Sequence, residues 1–192
     1  SELKTYSKEE ILHFLKERKD FLEAVCITGG EPTLNRDLPE FLRQIKKLGY
    51  KIKLDTNGTN PQMLQLLKKE KLVDYIAMDF KAPFEDYKRI VNAEVDIEKL
   101  EKSINLIRTF PDYEFRITIL PKIISKSDLI EMAGYLKGHK ANKRFFLQVF
   151  RQGKCLDKNF ENEKQYSNEQ MQEMLELLKP YFENVEIRGE TY

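Results

Sequence analysis

Polar residues follow four of the apolar, strand-type segments in this sequence, at the point where each segment ends. VCIT leads into Gly29-Gly30-Glu31-Pro32, and KIKL leads into Asp55-Thr56-Asn57-Gly58. YIAM is followed by Asp79-Phe80-Lys81, and FFL is followed by Gln148-Val149-Phe150-Arg151. Because the carboxyl ends of parallel strands lie at one edge of a sheet, these residues are expected to share one binding site.

Each of these motifs contains residue types that can bind a polar ligand. Two consecutive glycines let the backbone approach a ligand closely, and Pro32 would hold the Glu31 carboxylate where it could bind an ammonium group. The Asp-Thr-Asn run could bind a ribose, a carboxylate or a cation. Asp79 and Lys81 are two residues apart on a strand, so they share a face and can pair. An ordinary turn or a buried ion pair is the alternative explanation of each motif, so no single motif defines a function.

The segments between these motifs predict an α/β fold. Apolar residues between positions 38 and 48 recur at i, i+3, i+4, i+7 and i+10, which is one face of a helix. The order is a helix, then strand–helix pairs repeated about five times, then a last strand, which predicts parallel βαβ units with strands buried on both faces. The predicted strands are Val25–Thr28, Lys51–Asp55, Tyr75–Phe80, Phe115–Leu120, Phe145–Phe150 and Val185–Arg188. The predicted helix N-caps are Ser7, Asp37, Asn60 and Ser167.

The composition is that of one globular domain with balanced charge. The chain has 192 residues, and 33 Lys and Arg stand against 32 Asp and Glu, so the net charge is +1. This balance gives no electrostatic reason to expect nucleic acid or an anionic membrane as the main partner. The longest apolar run is about six residues, far below the ~20 that span a bilayer.

The two cysteines, Cys26 and Cys155, have neither the spacing of a metal site nor that of a disulfide framework. Cys26 lies in an apolar strand and is expected in the core, whereas Cys155 is expected to be an exposed thiol in an irregular loop over residues 153–166. The N-terminus shows no apolar signal-peptide core. Together these features predict a protein of the reducing cytoplasm.

Taken together, the motifs resemble one family. The strings ITGGEPTL, KLDTNGTNP and VDYIAMDFKAP, in this order at strand ends, resemble the radical S-adenosylmethionine (SAM) superfamily. The similarity is greatest to the activating proteins of glycyl radical enzymes, and within them to the type that activates anaerobic ribonucleoside-triphosphate reductase. FRITILP, FLQVFRQGKCLD and VEIRGE fit the same group, so the resemblance extends over essentially all 192 residues.

The resemblance implies a partial (β/α)6 TIM-like barrel with SAM and a [4Fe–4S] cluster as cofactors. Gly29, Gly30 and Glu31 would hold the methionine amino group, and the end of the third strand would contact the ribose and carboxylate side. In related activases the Asp-Thr pair and the strand-end Asp can also ligate a monovalent cation. The SAM-binding residues that the resemblance implies are Gly29, Gly30, Glu31, Asp55, Thr56, Asn57, Asp79, Phe80, Lys81, Arg116, Gln148 and Arg151.

The resemblance also implies a reaction and partners. In this family a reduced cluster donates one electron to SAM, the sulfonium C–S bond breaks, and the resulting 5′-deoxyadenosyl radical takes a hydrogen from a glycine Cα of the partner. The implied partner is anaerobic ribonucleoside-triphosphate reductase, and the implied electron donor is a flavodoxin or a ferredoxin-type reductant.

One family feature is missing from the sequence. The family binds its cluster through CxxxCxxC on the loop after the first strand, and no such motif occurs in these residues. The opening helix over residues 8–19 corresponds to the helix that follows the cluster loop. We therefore expect a single domain over residues 1–192 that lacks the first strand, holds no cluster through its own cysteines and does not cleave SAM alone. The alternatives are a cluster-less SAM-binding or protein-docking module, and a small-molecule radical SAM enzyme such as 7-carboxy-7-deazaguanine synthase, which also carries Gly-Gly-Glu-Pro.

Overall fold

A computed structural model describes residues 4–151, 153, 158–160 and 162–189. The helices are α1 (Lys8–Glu17), α2 (Leu38–Lys47), α3 (Pro61–Lys69), α4 (Tyr87–Val91), α5 (Ile97–Ile107), α6 (Lys126–Gly138) and α7 (Asn168–Leu178). The strands are β1 (Ala24–Ile27), β2 (Lys51–Thr56), β3 (Tyr75–Asp79), β4 (Asp112–Ile119), β5 (Arg144–Val149) and β6 (Asn184–Arg188). Short 3₁₀ helices lie at Pro32–Leu34, Phe84–Asp86 and Lys158–Phe160. The predicted alternation of strands and helices is confirmed.

The six strands form one parallel sheet in the order β1-β2-β3-β4-β5-β6. Each strand pairs with the next one along the chain, so that Asp79 lies opposite Arg116 and Gln148 lies opposite Arg188. A sequential order of parallel strands with helical crossovers is that of a barrel wall. Within the described residues β1 and β6 are the two edges of the sheet, so the wall is open. The predicted partial barrel is confirmed.

The two faces of the sheet differ in chemistry. The helix-covered face carries fully buried apolar side chains such as Leu54, Met78 and Phe115, which share one core with apolar residues of α2, α3, α5, α6 and α7. The other face, called the polar face below, carries Lys53, Asp55, Tyr75, Asp79, Glu114, Arg116, Phe146, Gln148 and Arg188. The strands were predicted to be buried on both faces, and on the polar face this burial involves charged side chains such as Glu114, Arg116 and Asp55 packed against one another.

Most of the residues predicted to cap the helices do so in the structure. Ser7 and Ser167 form capping boxes with Glu10 and Gln170, and the Asn60 side chain accepts a hydrogen bond from the backbone N–H of Met63. Asp37 does not cap α2, because its carboxylate instead forms an ion pair with Lys8. Three of the four predicted caps are therefore confirmed.

Two further predictions concern the periphery of the fold. Among the described residues no helix is both long enough and apolar enough to cross a membrane. Cys155 lies outside the described residues, so its predicted exposure stays a prediction.

Candidate cofactor-binding site

The turn after β1 is built for close approach of the backbone to a ligand. Gly29 and Gly30 have φ angles of +92° and +56°, which L-residues with a Cβ rarely adopt. A Cβ added at either position would meet nothing within 4 Å. The glycines are therefore required by backbone conformation rather than by crowding, and the space above the turn is open.

The Glu31 carboxylate fastens this turn to the end of β2. Its Oε1 accepts hydrogen bonds from Thr33 N–H at 3.1 Å, Thr33 Oγ1 at 2.5 Å and Thr56 Oγ1 at 2.9 Å. Its Oε2 accepts one from Asn57 N–H at 2.6 Å. Oε1 is thus saturated by the chain's own donors, whereas Oε2 retains capacity for one further donor. Glu31 joins two loops in addition to the ammonium contact expected of it.

The loop after β2 is held by its own side chains. Asn57 Oδ1 accepts hydrogen bonds from the N–H and Oγ1 of Thr59, at 3.0 and 2.7 Å. Ser103 Oγ on α5 donates to the Gly58 carbonyl at 2.6 Å. Gly58 has a φ of +77°, and a Cβ there would overlap the Met78 side chain. The side-chain oxygen of Asn57 is therefore used within its own loop.

Arg116 joins the ends of β2, β3 and β4 through two carboxylates. Its Nε donates to Asp79 Oδ1, and its Nη1 donates to Asp55 Oδ2 at 3.1 Å. The side chains of Arg116 and Asp55 are each 13% exposed, and that of Asp79 is 33% exposed. Burial opposes ionisation of Asp55, but the charges of Arg116 and Lys53 outweigh it and hold the pKa of this carboxyl below its ordinary value. The three residues form one ionic group, called the arginine triad below.

The predicted pairing of Asp79 with Lys81 is wrong. β3 ends at Asp79, directly opposite Arg116 on β4, so the strand register gives Asp79 a closer cation. Lys81 lies beyond the strand end, is exposed and makes no ion pair with any described residue. Lys81 therefore keeps its ammonium for a ligand or for solvent.

A cavity of about 370 Å³ lies over the carboxyl ends of β3, β4 and β5. Its volume is within the range of small-molecule sites. Its polar lining comes from Asp79, Lys81, Arg116 and Thr118. Its apolar lining comes from Ile90, Ile117, Leu120, Ile123, Ile124, Phe150 and Phe160. A ligand with one polar, charged part and one flat, apolar part suits such walls.

Three predicted site residues, Phe80, Gln148 and Arg151, do not line this cavity. The Phe80 side chain is 1% exposed and packs in an aromatic cluster with Phe84, Tyr87 and Tyr135, so it cannot contact a ligand in the cavity. Its side chain points away because successive strand residues face opposite sides, and its N–H instead donates to the Arg116 carbonyl at 2.9 Å. Gln148 is half-buried on the polar face opposite Thr118, and Arg151 is exposed two residues after β5.

Sequence reasoning missed the middle of the polar face. Glu114 on β4 is fully buried, and its carboxylate binds Arg188 of β6 and Tyr75 of β3. The signal was present in the spacing, because Lys51, Lys53 and Asp55 alternate on β2 as Asp112, Glu114, Arg116 and Thr118 do on β4. A period of two in charged residues indicates a strand with one polar face.

Cys26 is exposed, contrary to the expectation of a core position. It lies on the edge strand β1, on the same face as Lys53, where helices do not cover the sheet. Among the described residues there is no group of three or more His, Cys, Asp or Glu side chains placed to hold a metal ion. With two cysteines in the sequence, these residues do not fit a cluster held by three thiolates.

A sequential parallel sheet with a glycine turn and an ionic group at its carboxyl ends defines a partial α/β barrel with a polar site at that edge. The model of the radical SAM superfamily matches residues 2–140. The chain belongs to the radical SAM superfamily and, by homology, to its glycyl-radical activating enzymes. The predicted family is confirmed.

Two relatives from Methanocaldococcus jannaschii are named as glycyl-radical enzyme activating enzymes. The first is 34% identical over 174 residues, covering 88% of this chain and 71% of the relative. The second is 32% identical over 141 residues, covering 69% of this chain and 53% of the relative. The chain thus spans about half the length of the second relative.

A solved structure shows the same fold. A domain of pyruvate-formate lyase-activating enzyme from Bacteroides vulgatus superposes with a TM-score of 0.71 at 18% identity. The match covers 87% of this chain and 99% of that domain. At this identity the likeness supports the barrel architecture alone.

Proposed function

We propose that the carboxyl ends of the strands, from the Gly29-Gly30 turn to the cavity beside Asp79, bind SAM. The observation that carries this proposal is the juxtaposition of an open glycine turn, the arginine triad and an apolar-walled cavity at one edge of the sheet, in a chain of the radical SAM superfamily. When bound, SAM supplies the adenosyl group that accepts a hydrogen atom in this family.

The chain's own groups divide the ligand between them. The backbone of Gly29 and Gly30, with Oε2 of Glu31, would bind the methionine ammonium. Asp79 uses Oδ1 for Arg116, and its Oδ2 makes no hydrogen bond with the described residues, so it can accept from the ribose hydroxyls. Lys81, exposed beside Asp79, would bind the methionine carboxylate.

The remaining predicted residues serve this site in different ways. Asp55, Thr56 and Asn57 form the wall between the turn and the cavity, with Thr56 and Asn57 bonded to Glu31. Gln148 and Arg151 lie on the far side of the edge, where they would contact the ligand or the partner polypeptide. Phe80 contributes through packing and its backbone alone.

We further propose that the activity of this family member is removal of a hydrogen atom from the Cα of one glycine in anaerobic ribonucleoside-triphosphate reductase, and that these residues do not perform it alone because their two cysteines do not fit the cluster. A flavodoxin or ferredoxin-type reductant would supply the electron, in a cytoplasmic setting. The supporting observation is the pair of relatives named as glycyl-radical enzyme activating enzymes. Because the residues present do not fit a cluster, no described side chain is assigned to electron transfer. We propose residues 1–192 as a single core domain.

A second function, SAM binding without cleavage, is favoured by the two-cysteine content. Iron and sulfide analysis after anaerobic reconstitution separates the two. A negligible iron content per chain favours a binding module, whereas four iron and four sulfide per chain would show that the chain itself holds a cluster.

Calorimetric titration with SAM tests the proposed site. We expect saturable binding of one SAM per chain, unchanged in Glu70→Gln, whose carboxylate lies on the helix-covered side and pairs with Arg43. An absence of saturable heat with folded protein would contradict the proposal.

A binding assay tests the proposed partner. We expect the immobilised, SAM-loaded chain to retain purified anaerobic ribonucleoside-triphosphate reductase. Retention of pyruvate formate-lyase alone would contradict this part of the proposal.

A further inference from the structure

A second ionic group, separate from the arginine triad, lies in the middle of the polar face. The Glu114 side chain is 0% exposed, and its two oxygens accept hydrogen bonds from Nη1 and Nη2 of Arg188, at 2.7 and 2.8 Å. Oε2 also accepts one from the Tyr75 hydroxyl at 2.5 Å. Arg188 reaches across β5 to make this contact, and its guanidinium lies 3.3 Å from the centre of the Phe146 ring. The group therefore joins β3, β4 and β6 over the surface of β5.

Lys53 connects this group to the arginine triad. Its Nζ lies 3.6 Å from Glu114 Oε1 and 3.3 Å from Asp55 Oδ1. Asp55 Oδ1 is buried and makes no hydrogen bond with any described residue, so the Lys53 ammonium is its counter-ion. The charges form a continuous chain from Asp79 through Arg116, Asp55, Lys53 and Glu114 to Arg188.

Stability alone is a poor explanation for a buried carboxylate at this position. Replacing a buried ion pair by apolar residues of similar volume is often neutral or stabilising. The strands are already held by backbone pairing and by the apolar core on the helix-covered face. The bidentate geometry at Glu114 instead fixes the direction of each charge, which is what a polar site at the neighbouring carboxyl ends of the strands needs.

We infer that Glu114 is a positioning residue, which acts through Lys53 to hold Asp55 and Arg116, and thereby Asp79, in the geometry that receives SAM. This inference rests on the proposed SAM site. It makes β6, through Arg188, part of the support of a site that extends along the carboxyl ends of the strands as far as the turn after β1. Without Glu114, Lys53 would turn fully toward Asp55 and compete with Arg116 for its carboxylate, leaving Arg116 and Asp79 free to shift.

A double-mutant cycle in SAM affinity tests this route. Glu114→Gln and Lys53→Met are each expected to raise the Kd for SAM by about three- to twentyfold. The double variant is expected to lose no more than the worse single variant, because both changes act on one path. Glu70→Gln is the control, because Glu70 also accepts two hydrogen bonds from one arginine, Arg43, but lies away from the polar face. This variant should leave the Kd unchanged. Additive losses, or wild-type affinity in folded Glu114→Gln, would overturn the inference.

A readout without SAM separates this inference from the proposed function. The Arg116 Nε–H donates to Asp79, so its side-chain ¹H–¹⁵N resonance reports the triad directly. We expect this resonance to shift and exchange faster with water in Glu114→Gln, but not in Glu70→Gln. An unchanged resonance would contradict the inference even if SAM binds. A shifted resonance without SAM binding would support the positioning role of Glu114 and contradict the proposed function. If Glu114→Gln does not fold, Tyr75→Phe, which removes one hydrogen bond from Glu114, takes its place with a smaller shift expected.

Discussion

Replacing Arg116 by methionine would remove the cation shared by Asp55 and Asp79. Methionine keeps most of the side-chain volume, so the change is mainly one of charge. The two lost charged hydrogen bonds would be worth about 1.5–3 kcal/mol each if fully buried. Because Asp79 is one-third exposed, solvent recovers part of its share. We therefore expect the free energy of unfolding at pH 7 to fall by about 2–4 kcal/mol.

The loss should depend on pH in a defined direction. The folded pKa of Asp55 lies below its ordinary value, so its ionisation stabilises the native state above the unfolded pKa of about 3.9. This contribution disappears as the pH falls through the folded pKa. In Arg116→Met the pKa of Asp55 rises, since the Arg116 charge is gone and Lys53 alone opposes the effect of burial. The difference between wild type and variant should therefore shrink below about pH 5.

Urea denaturation followed by circular dichroism at pH 7 and pH 4 measures both quantities. Arg43→Met, which breaks ion pairs to Glu40 and Glu70 outside the polar face, is the matched control and should cost clearly less stability than Arg116→Met. An Arg116→Met variant as stable as wild type at pH 7 would refute the reasoning. So would a loss that is equal at both pH values.

Three further predictions follow from the same geometry. Asp79→Ala should weaken SAM binding by about 1–3 kcal/mol in calorimetry, and unchanged affinity would make Asp79 a purely structural residue. Gly30→Ala should cost about 1–2 kcal/mol of stability because of its positive φ, whereas Gly58→Ala should cost more because its Cβ also overlaps a neighbour, and equal melting temperatures would contradict this. Burial and the hydrogen bond to Glu114 raise the pKa of Tyr75 to about 12, so Glu114→Gln should lower it in an ultraviolet titration, and a constant value would disprove the coupling.

Sequence reasoning predicted the features that are encoded locally. The capping boxes at Ser7 and Ser167 depend on residues three apart, and the helices depend on apolar spacing within one segment. The strand-end motifs lie at one edge of the sheet, as expected, because that edge follows from strand direction alone, and their sharing of one binding site stays a prediction. Capping boxes and apolar spacing are properties of short stretches of chain, so a single sequence is enough to predict them.

Predictions failed where strand register decides the contact. Asp79 pairs with Arg116, 37 residues away, rather than with Lys81, and this follows from the alignment of β3 and β4. Glu114 and Arg188 are 74 residues apart, and nothing in either local segment shows that they meet. Cys26 was expected in the core because its neighbours are apolar, but an edge strand has one uncovered side.

The proposed SAM site lies at the carboxyl ends of the strands. Mapping of amide ¹H–¹⁵N shifts during a SAM titration of the wild-type chain tests it most directly. We expect saturable shifts at Gly29, Gly30, Asp79 and Lys81, with little change at the amino ends of the strands, for example at Lys51. Saturable shifts confined to the opposite end of the barrel, or none at the Gly29-Gly30 turn at saturation, would contradict it.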